Sequence, residues 1–295
     1  MMNNILLSEL NQENISKFFK ILSQNADIPN VNLANIHIPT LIKAMNLSTT
    51  ASFFAAECDE THSECVHPVG VMLCSVKDIH AEILLIYIAP QYRRRHLGQN
   101  MLSHGLALLQ SHNVQTVSLD VLSNNTPAIN LYCRNGFTQT GTIVTLRNET
   151  NSFYTEPKNI TLKKTPSLLI MPTLRMFNRS TSFRKDIYRD CSYLSDLTDG
   201  NQAEFVTVLS NGKTIGYFIF NRKQNILRIH HYGFNSTNKN TLFEALSALI
   251  ENSTIVQLQI PGDDQSQIDM FCNVGFYKDM LQTTYIKKIS PLQSK

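Results

Sequence analysis

The sequence predicts an α/β fold (an α+β mixed sheet) built as two tandem copies, each a largely antiparallel sheet flanked by helices. Three observations support this prediction. The chain has 295 residues, which exceeds one typical domain and suits two. Strand and helix patterns follow each other in the same order in both halves. A Gly-Phe pair ends a short helical pattern in each half, at Gly136-Phe137 and at Gly275-Phe276.

The first half is predicted to contain one strand, two helices and then a meander of three strands. Apolar alternation predicts strands over 5–10, 52–57, 69–76 and 81–88, and helical spacing predicts helices from Glu13 and after Pro39. A basic turn follows Pro90, and the remaining pattern predicts a helix over 99–111, a strand over 116–121, a helix over 128–135, and strands over 140–146 and 159–163.

The second half repeats this order. The pattern predicts a strand over 167–171, helical segments within 173–197, a hairpin of 205–209 and 214–220, a strand over 226–231, a helix over 241–250, a strand over 255–260 and a helix over 267–273, and residues 278–288 close the chain. Asn211-Gly212 is a strong signal for the hairpin turn. We place the boundary just before Pro166, which gives domains of residues 1–165 and 166–295.

Composition and charge exclude several classes of function. The formal net charge is only +3, which gives no clear indication of nucleic-acid binding. No apolar run is long enough for a membrane span, and the N-terminus lacks the features of a signal peptide, so we expect a cytoplasmic protein. The six cysteines form no CxxC pair and no zinc spacing, so no metal is expected. Cys58 and Cys65 flank a turn and are expected to stay reduced, with a disulfide as the alternative in an oxidising compartment.

The segment AEILLIYIAPQYRRRHLGQNML contains the first candidate site. A strand that ends at a turn and opens directly into a helix leaves several backbone N–H groups without an intrahelical partner. Together with the helix dipole, these groups suit a pyrophosphate. Arginines in the turn add charge-assisted contacts to an anion. From the residues alone, a basic surface turn without a ligand remains the alternative.

This segment resembles the acetyl-CoA-binding motif of the GCN5-related N-acetyltransferase (GNAT) superfamily, Arg/Gln-x-x-Gly-x-Gly/Ala, which stands here as RRRHLG at 93–98. The later segment SLDVLSNNTPAINLYCRNGF is similar to a second motif of that superfamily, N-x-x-A-x-x-L-Y-x-x-x-G-F. The matching residues are Asn125, Ala128, Leu131, Tyr132, Gly136 and Phe137. The resemblance covers about residues 70–145 and is closest to the ribosomal-protein N-terminal acetyltransferases.

The resemblance implies acetyl-CoA as cosubstrate. The end of the strand before the turn is expected to hydrogen-bond the pantetheine arm, and the turn to hold the pyrophosphate. The implied cofactor-binding residues are Tyr87, Ile88, Ala89, Arg93, Arg94, Arg95, His96, Leu97, Gly98, Gln99, Asn125 and Ala128. His96 departs from the motif, because it replaces a glycine that leaves room for close backbone approach.

The resemblance also implies the catalytic groups. Tyr132 matches the usual acid of the family, and a phenol is a suitable donor to a leaving thiolate. Two carboxylates compete for the base: Glu82 matches the glutamate of histone-type members, and Asp120 matches the position used by N-terminal-alanine acetyltransferases. Glu82 is the preferred of the two. A packed tyrosine and outward-facing strand carboxylates are the purely structural alternatives.

The second half keeps the pattern of elements but loses the motifs. Its equivalent turn, residues 232–240, has no arginine, and Phe271 replaces the tyrosine. We therefore expect a degenerate copy. The leading hypothesis is an enzyme that transfers an acetyl group from acetyl-CoA directly to an amine of a protein. The alternatives are a catalytically weak or dead CoA-binding scaffold that acts through protein partners, and an acetyltransferase for a small-molecule amine.

Overall fold

A computed structural model describes residues 5–10, 51–58, 65–150, 152–177, 203–235, 239–250 and 255–290. The two helices predicted from Glu13 and after Pro39, and the helical segments predicted beyond Phe177, lie outside these residues. Within them the chain has an α/β fold, with largely antiparallel strands flanked by helices.

The elements are numbered in chain order. The strands are β1 (Ile5–Glu9), β2 (Phe53–Cys58), β3 (Cys65–Lys77), β4 (His80–Ile88), β5 (Thr116–Leu122), β6 (Thr138–Asn148), β7 (Ile160–Lys164), β8 (Glu204–Ser210), β9 (Lys213–Lys223), β10 (Ile226–Phe234), β11 (Ile255–Pro261) and β12 (Tyr277–Lys288). The described α-helices are α1 (Leu97–Ser111), α2 (Thr126–Arg134), α3 (Ile170–Phe177), α4 (Lys239–Leu249) and α5 (Gln265–Cys272).

The chain divides into two compact units. The first unit comprises residues 1–140 and 284–295, and the second unit comprises residues 141–283. The last residues of β12 therefore belong to the first unit, although they follow the whole second unit in the chain. The compact units divide at other positions than the two predicted copies, residues 1–165 and 166–295. That these copies are an internal repeat stays a prediction.

In the first unit the strand order is β1-β2-β3-β4-β5-β12. The pairs β1–β2, β2–β3 and β3–β4 are antiparallel, and β4–β5 is parallel. One apolar core joins the strands to α1 and α2 through Phe53, Met101, Leu119 and Tyr132. Tyr285 of β12 is buried in the same core, which makes the C-terminal strand part of this unit's structure.

In the second unit the strand order is β6-β11-β10-β9-β8-β7. Its single parallel pair is β10–β11, the counterpart of β4–β5. The hairpin predicted at Asn211-Gly212 is confirmed, and both residues have positive φ (49° and 76°), which asparagine and glycine accept with the least strain. β7 pairs with β8 and thus belongs here, whereas the sequence pattern placed it at the end of the first copy.

The strand predicted over residues 167–171 is wrong. The segment forms a 3-10 turn at Ser167–Leu169 and the start of α3. Ile170 and Phe177 are buried in a small core with Phe205 and Tyr217, so the apolar residues here recur at helical spacing and not at strand spacing. Pro166 precedes this segment, and an apolar run as short as the one that follows it fits either structure.

Candidate functional site

The parallel strands β4 and β5 pair over only part of their length. Their register runs from His80↔Thr116 to Ile83↔Leu119. Leu84 follows as an extra residue in the β3–β4 register, a β-bulge that redirects the rest of β4. β4 continues to Ile88 and β5 to Leu122 without further pairing between them. We call this place, residues 84–88 facing 120–122, the β4–β5 opening.

The predicted phosphate turn lies at the end of β4. A 3-10 turn at Pro90–Tyr92 leads into residues Arg93 to His96, and α1 begins at Leu97. Arg94 and His96 both adopt the left-handed conformation, with φ of 63° and 59°. His96 is the N-cap residue of α1, and its side chain makes no capping hydrogen bond. The first N–H groups and the positive dipole end of α1 are therefore presented beside a basic turn, where an anion is stabilised.

Arg93 is held against β4. Its Nε donates to the carbonyl oxygen of Ile88 at 2.9 Å, and its guanidinium carbon lies 5.8 Å from the centre of the Tyr87 ring. The N–H of Ala89 donates to the carbonyl oxygen of Val69 at 2.8 Å. The structure therefore places Arg93 beside Tyr87 and Ile88 at the end of β4, next to Ala89. Contact of these residues with a cofactor stays a prediction.

Tyr92 anchors the other side of the turn to the sheet. Its hydroxyl donates to Oε2 of Glu57 on β2, and the guanidinium of Arg95 lies 5.7 Å from its ring centre. The hydrogen bond to Glu57 favours the neutral phenol and raises the pKa of Tyr92 above its ordinary value. Neither Glu57 nor Tyr92 was predicted as a site residue, because their pairing joins positions 35 residues apart and no local motif marks it.

Gly98 and Gln99 fix the start of α1 against its neighbours. A Cβ at Gly98 would lie 3.0 Å from Cδ1 of Ile88 and 3.5 Å from Cδ2 of Leu131, so a side chain here would have to displace the end of the Ile88 side chain by a few tenths of an ångström. The amides of Gln99 and Asn135 exchange two hydrogen bonds of 2.7 and 2.9 Å, which tie α1 to the end of α2. The side chain of Gln99 thus contacts α2, and its predicted contact with the cofactor stays a prediction.

Asn125 is the N-cap of α2. Its Oδ1 accepts a hydrogen bond from the N–H of Ala128 at 3.3 Å, which satisfies one of the helix's first N–H groups. Ala128 packs against the first core together with Ile88 and Leu131. In the structure these two motif residues cap the helix and pack against the core. Their predicted contacts with the cofactor stay predictions.

Tyr132 is buried on α2, with its ring edge-on to Phe137 at 5.8 Å between centres. It shares the apolar core of the first unit with Leu97 of α1 and Leu119 of β5. Burial disfavours the charged phenolate and raises the pKa of Tyr132 to about 12. The phenol therefore keeps its proton throughout the neutral range and can donate it.

The two candidate bases lie on the other face of the sheet. Glu82 alternates with the core residues Ala81 and Ile83, and Asp120 alternates with Leu119 and Val121. Glu82 lies in the paired stretch, opposite Ser118. Asp120 is the first residue of β5 beyond that stretch, at the β4–β5 opening. Oδ1 of Asp120 accepts a hydrogen bond of 2.8 Å from Oγ1 of Thr284 on β12, a contact that the sequence did not predict.

His96 provides a test of the turn's conformation. A non-glycine residue in the left-handed region costs about 1–2 kcal/mol, somewhat less for histidine. We therefore expect His96→Ala to be about 1 kcal/mol less stable than His96→Gly in urea unfolding. The His96→Gly variant is also expected to bind acetyl-CoA at least as tightly as the wild type in calorimetry. Weaker binding of acetyl-CoA by both variants than by the wild type would show that the imidazole of His96 itself contacts the ligand.

The second unit repeats the geometry with different side chains. Pairing of β10 with β11 ends at Ile229↔Leu258, and His230 is the extra residue of a bulge. Tyr232 of β10 then donates a hydrogen bond from its hydroxyl to Oε1 of Gln267 on α5. Gln267 occupies the position of Ala128 when the two capped helices are aligned on Asn125 and Asp264. This side-chain bridge crosses from β10 to α5, where the first unit has only small and apolar groups.

The same bulge places two histidines in the second unit. His231 forms a 2.8 Å hydrogen bond through Nδ1 with the Tyr217 hydroxyl and stacks on its ring. Burial lowers the pKa of His230 and of His231 to about 4, so both are neutral near pH 7. Over the described residues, no group of three or more His, Cys, Asp or Glu is placed to hold a metal ion. No described helix has the length and apolar character of a membrane span.

Comparisons with known proteins show a family match and a shared fold. Residues 26–137 match the Acetyltransferase (GNAT) family, a match that includes the turn, Asp120 and Tyr132 but less than half of the chain. No curated protein matches the sequence significantly.

Solved structures match along almost the whole chain. A GCN5-related N-acetyltransferase from Sphaerobacter thermophilus has a TM-score of 0.69 at 13% identity and covers 97% of this chain and 96% of its own. A tandem GNAT protein from the clavulanic acid biosynthesis pathway has a TM-score of 0.72 at 12% identity, covering 98% and 99%. A putative acetyltransferase from Pyrococcus horikoshii has a TM-score of 0.65 at 13% identity, covering 100% and 92%. The chain therefore has the GNAT acetyltransferase fold, as the sequence motifs predicted.

Proposed function

We propose that this chain is an acetyl-CoA-dependent N-acetyltransferase whose reaction takes place in the first unit. The observation that carries the proposal is the β4–β5 opening, which lies directly beside a basic, left-handed turn at the N-terminus of α1. An extended amide-containing arm can add to strand edges that have stopped pairing, and a pyrophosphate suits the helix N-terminus. The family match over residues 26–137 supports acetyl-CoA as the ligand with both features.

In this proposal the turn binds and orients acetyl-CoA. The N–H groups that begin α1, at Leu97 and Gly98, hold the pyrophosphate, and Arg94 and Arg95 contribute positive charge. Arg93 keeps the end of β4 in place through Ile88. The ligand supplies an activated acetyl thioester, and the protein supplies position and proton transfer.

In this proposal the two proton transfers take place on opposite faces of the sheet. On one face, Asp120 removes a proton from the acceptor ammonium, directly or through a water, so that the nitrogen lone pair attacks the thioester carbon. The carbon–nitrogen bond forms, the carbon–sulfur bond breaks, and the thiolate leaves toward the other face. There Tyr132 donates its proton to the sulfur. This arrangement favours Asp120 over Glu82, because Asp120 lies at the opening whereas Glu82 lies within the paired stretch.

We propose a protein amine as the acceptor, on the resemblance to ribosomal-protein N-terminal acetyltransferases. A small-molecule amine is the alternative acceptor within the same chemistry. A CoA-binding scaffold without turnover is the alternative function, and the left-handed His96 in place of a glycine is the observation that favours it.

Replacing Tyr132 with Phe is expected to lower kcat by about 100-fold, because the leaving thiolate loses its proton donor. The Kd for acetyl-CoA should stay close to that of the wild type, since the ring and its packing remain. In the wild type no loss of kcat from ionisation of Tyr132 is expected below about pH 11, because its pKa is about 12. A kcat equal to that of the wild type in Tyr132→Phe would remove this residue from the mechanism.

Calorimetry on the whole chain, followed by acetylation assays with peptides and small amines, tests the proposed function. We expect one acetyl-CoA site per chain, because the Tyr232–Gln267 bridge crosses the corresponding place in the second unit. Binding with transfer to an amine supports the enzyme, and the preferred amine identifies the acceptor class. Binding with no transfer to any amine supports the scaffold, and absence of binding contradicts both.

A further inference from the structure

The C-terminal strand β12 contacts both parts of the proposed catalytic machinery in the first unit. Thr284 donates to Oδ1 of Asp120 at 2.8 Å. Three residues later, Nζ of Lys287 donates to the carbonyl oxygen of Asn135 at 2.6 Å, at the end of the helix that carries Tyr132. A positive charge at a helix C-terminus is favourable. One strand thus contacts both the candidate base and the helix that carries the candidate acid.

The contact between Thr284 and Asp120 is well defined structurally. Thr284 is buried, and its neighbour Tyr285 is fixed in the first core, so the strand has little freedom to move. Asp120 is partly exposed at the β4–β5 opening, where β5 is no longer held by β4. A carboxylate at such a position has several accessible rotamers, and a hydrogen bond from a fixed hydroxyl selects among them.

We propose that Thr284 is a positioning residue, which holds the Asp120 carboxylate in the orientation required to accept the proton of the acceptor amine. The inference rests on the proposed function and on Asp120 as the base. Thr284 touches neither substrate nor reacting atoms in this proposal and acts only through Asp120.

The test uses the whole chain with four single variants, one of which is Asp120→Asn, and one double variant. Thr284→Val keeps the shape of the side chain and removes the hydroxyl, and Thr284→Ser keeps the hydroxyl. Thr138→Val is the matched control, because it also removes a threonine hydroxyl that donates to this strand, but at the carbonyl oxygen of Ile286 (3.2 Å) and not at Asp120. The double variant combines Thr284→Val with Asp120→Asn.

We expect Thr284→Val to lower kcat about 10-fold with little change in KM for acetyl-CoA, as follows from a misplaced catalytic group. Thr284→Ser should recover most of the loss, and Thr138→Val should match the wild type. Adding Thr284→Val to Asp120→Asn should cause no further loss, because the residue acts only through that carboxylate.

A wild-type kcat in Thr284→Val, a loss in Thr284→Ser as large as in Thr284→Val, or an additive loss in the double variant would each overturn the inference and leave the proposed function intact. Thermal unfolding of each variant identifies a loss of folded protein, and Thr284→Ser keeps the test valid if Thr284→Val is poorly folded. A wild-type chain that transfers no acetyl group overturns the proposed function and this inference with it.

Discussion

Replacing Asp120 with Asn is expected to lower kcat by about 100- to 10,000-fold, the range for removal of a general base. The amide has nearly the same shape and still accepts the hydrogen bond from Thr284, so the fold and the Kd for acetyl-CoA should change little. The variant loses only the capacity to take a proton from the acceptor. Steady-state kinetics with a saturating amine, together with calorimetry for acetyl-CoA, measures both quantities.

Glu82→Gln is the matched control, because it neutralises a carboxylate on the same face of the sheet two positions back in register. We expect a much smaller loss of kcat than in Asp120→Asn. The opposite order would assign the base to Glu82, which is the residue that the sequence comparison prefers. Equal losses of kcat in the two single variants, which add in the double variant, would indicate that both carboxylates act on the proton through water.

Ending the chain at Thr283 is expected to abolish acetyl-CoA binding and to unfold the first unit. This deletion removes Tyr285 from the core, the Thr284 contact to Asp120 and the Lys287 contact to α2. Loss of one large buried aromatic side chain costs about 3–5 kcal/mol, and small domains have only about 5–15 kcal/mol in total. Residues 141–283 remain complete, so the unfolding transition of the second unit should persist in urea.

A chain ending at Ser290 is the control for this deletion. It keeps the hydrogen bonds that Ile289 and Ser290 make with Gln115 and Gln110, and we expect wild-type stability and binding. For the same reason a fragment of residues 1–165 should not fold as an independent domain. Full acetyl-CoA binding by the chain that ends at Thr283 would show that β12 is dispensable for the first unit.

Local sequence was sufficient for most of the elements in the first unit. The turn between β4 and α1 could be predicted because a strand, a proline, three arginines and an apolar helix follow each other without interruption. The cap at Asn125 and the helix end at Gly136, with φ of 79°, are also encoded by adjacent residues. The failure at residues 167–171 has the same origin, because a short apolar run does not distinguish a strand from the first turn of a helix.

Sequence by itself determined the α/β class, the order of most elements and the basic turn before α1, because each depends on residues close together in the chain. Only the tertiary structure decided which strands complete each unit and which side chains meet at the site. Asp120 and Thr284 are 164 positions apart, and the hydrogen bond between them depends on β12 joining β5. Strand pairing over such a separation leaves no local pattern, since any strand with a suitable apolar face and a free edge beside it satisfies the same local rules.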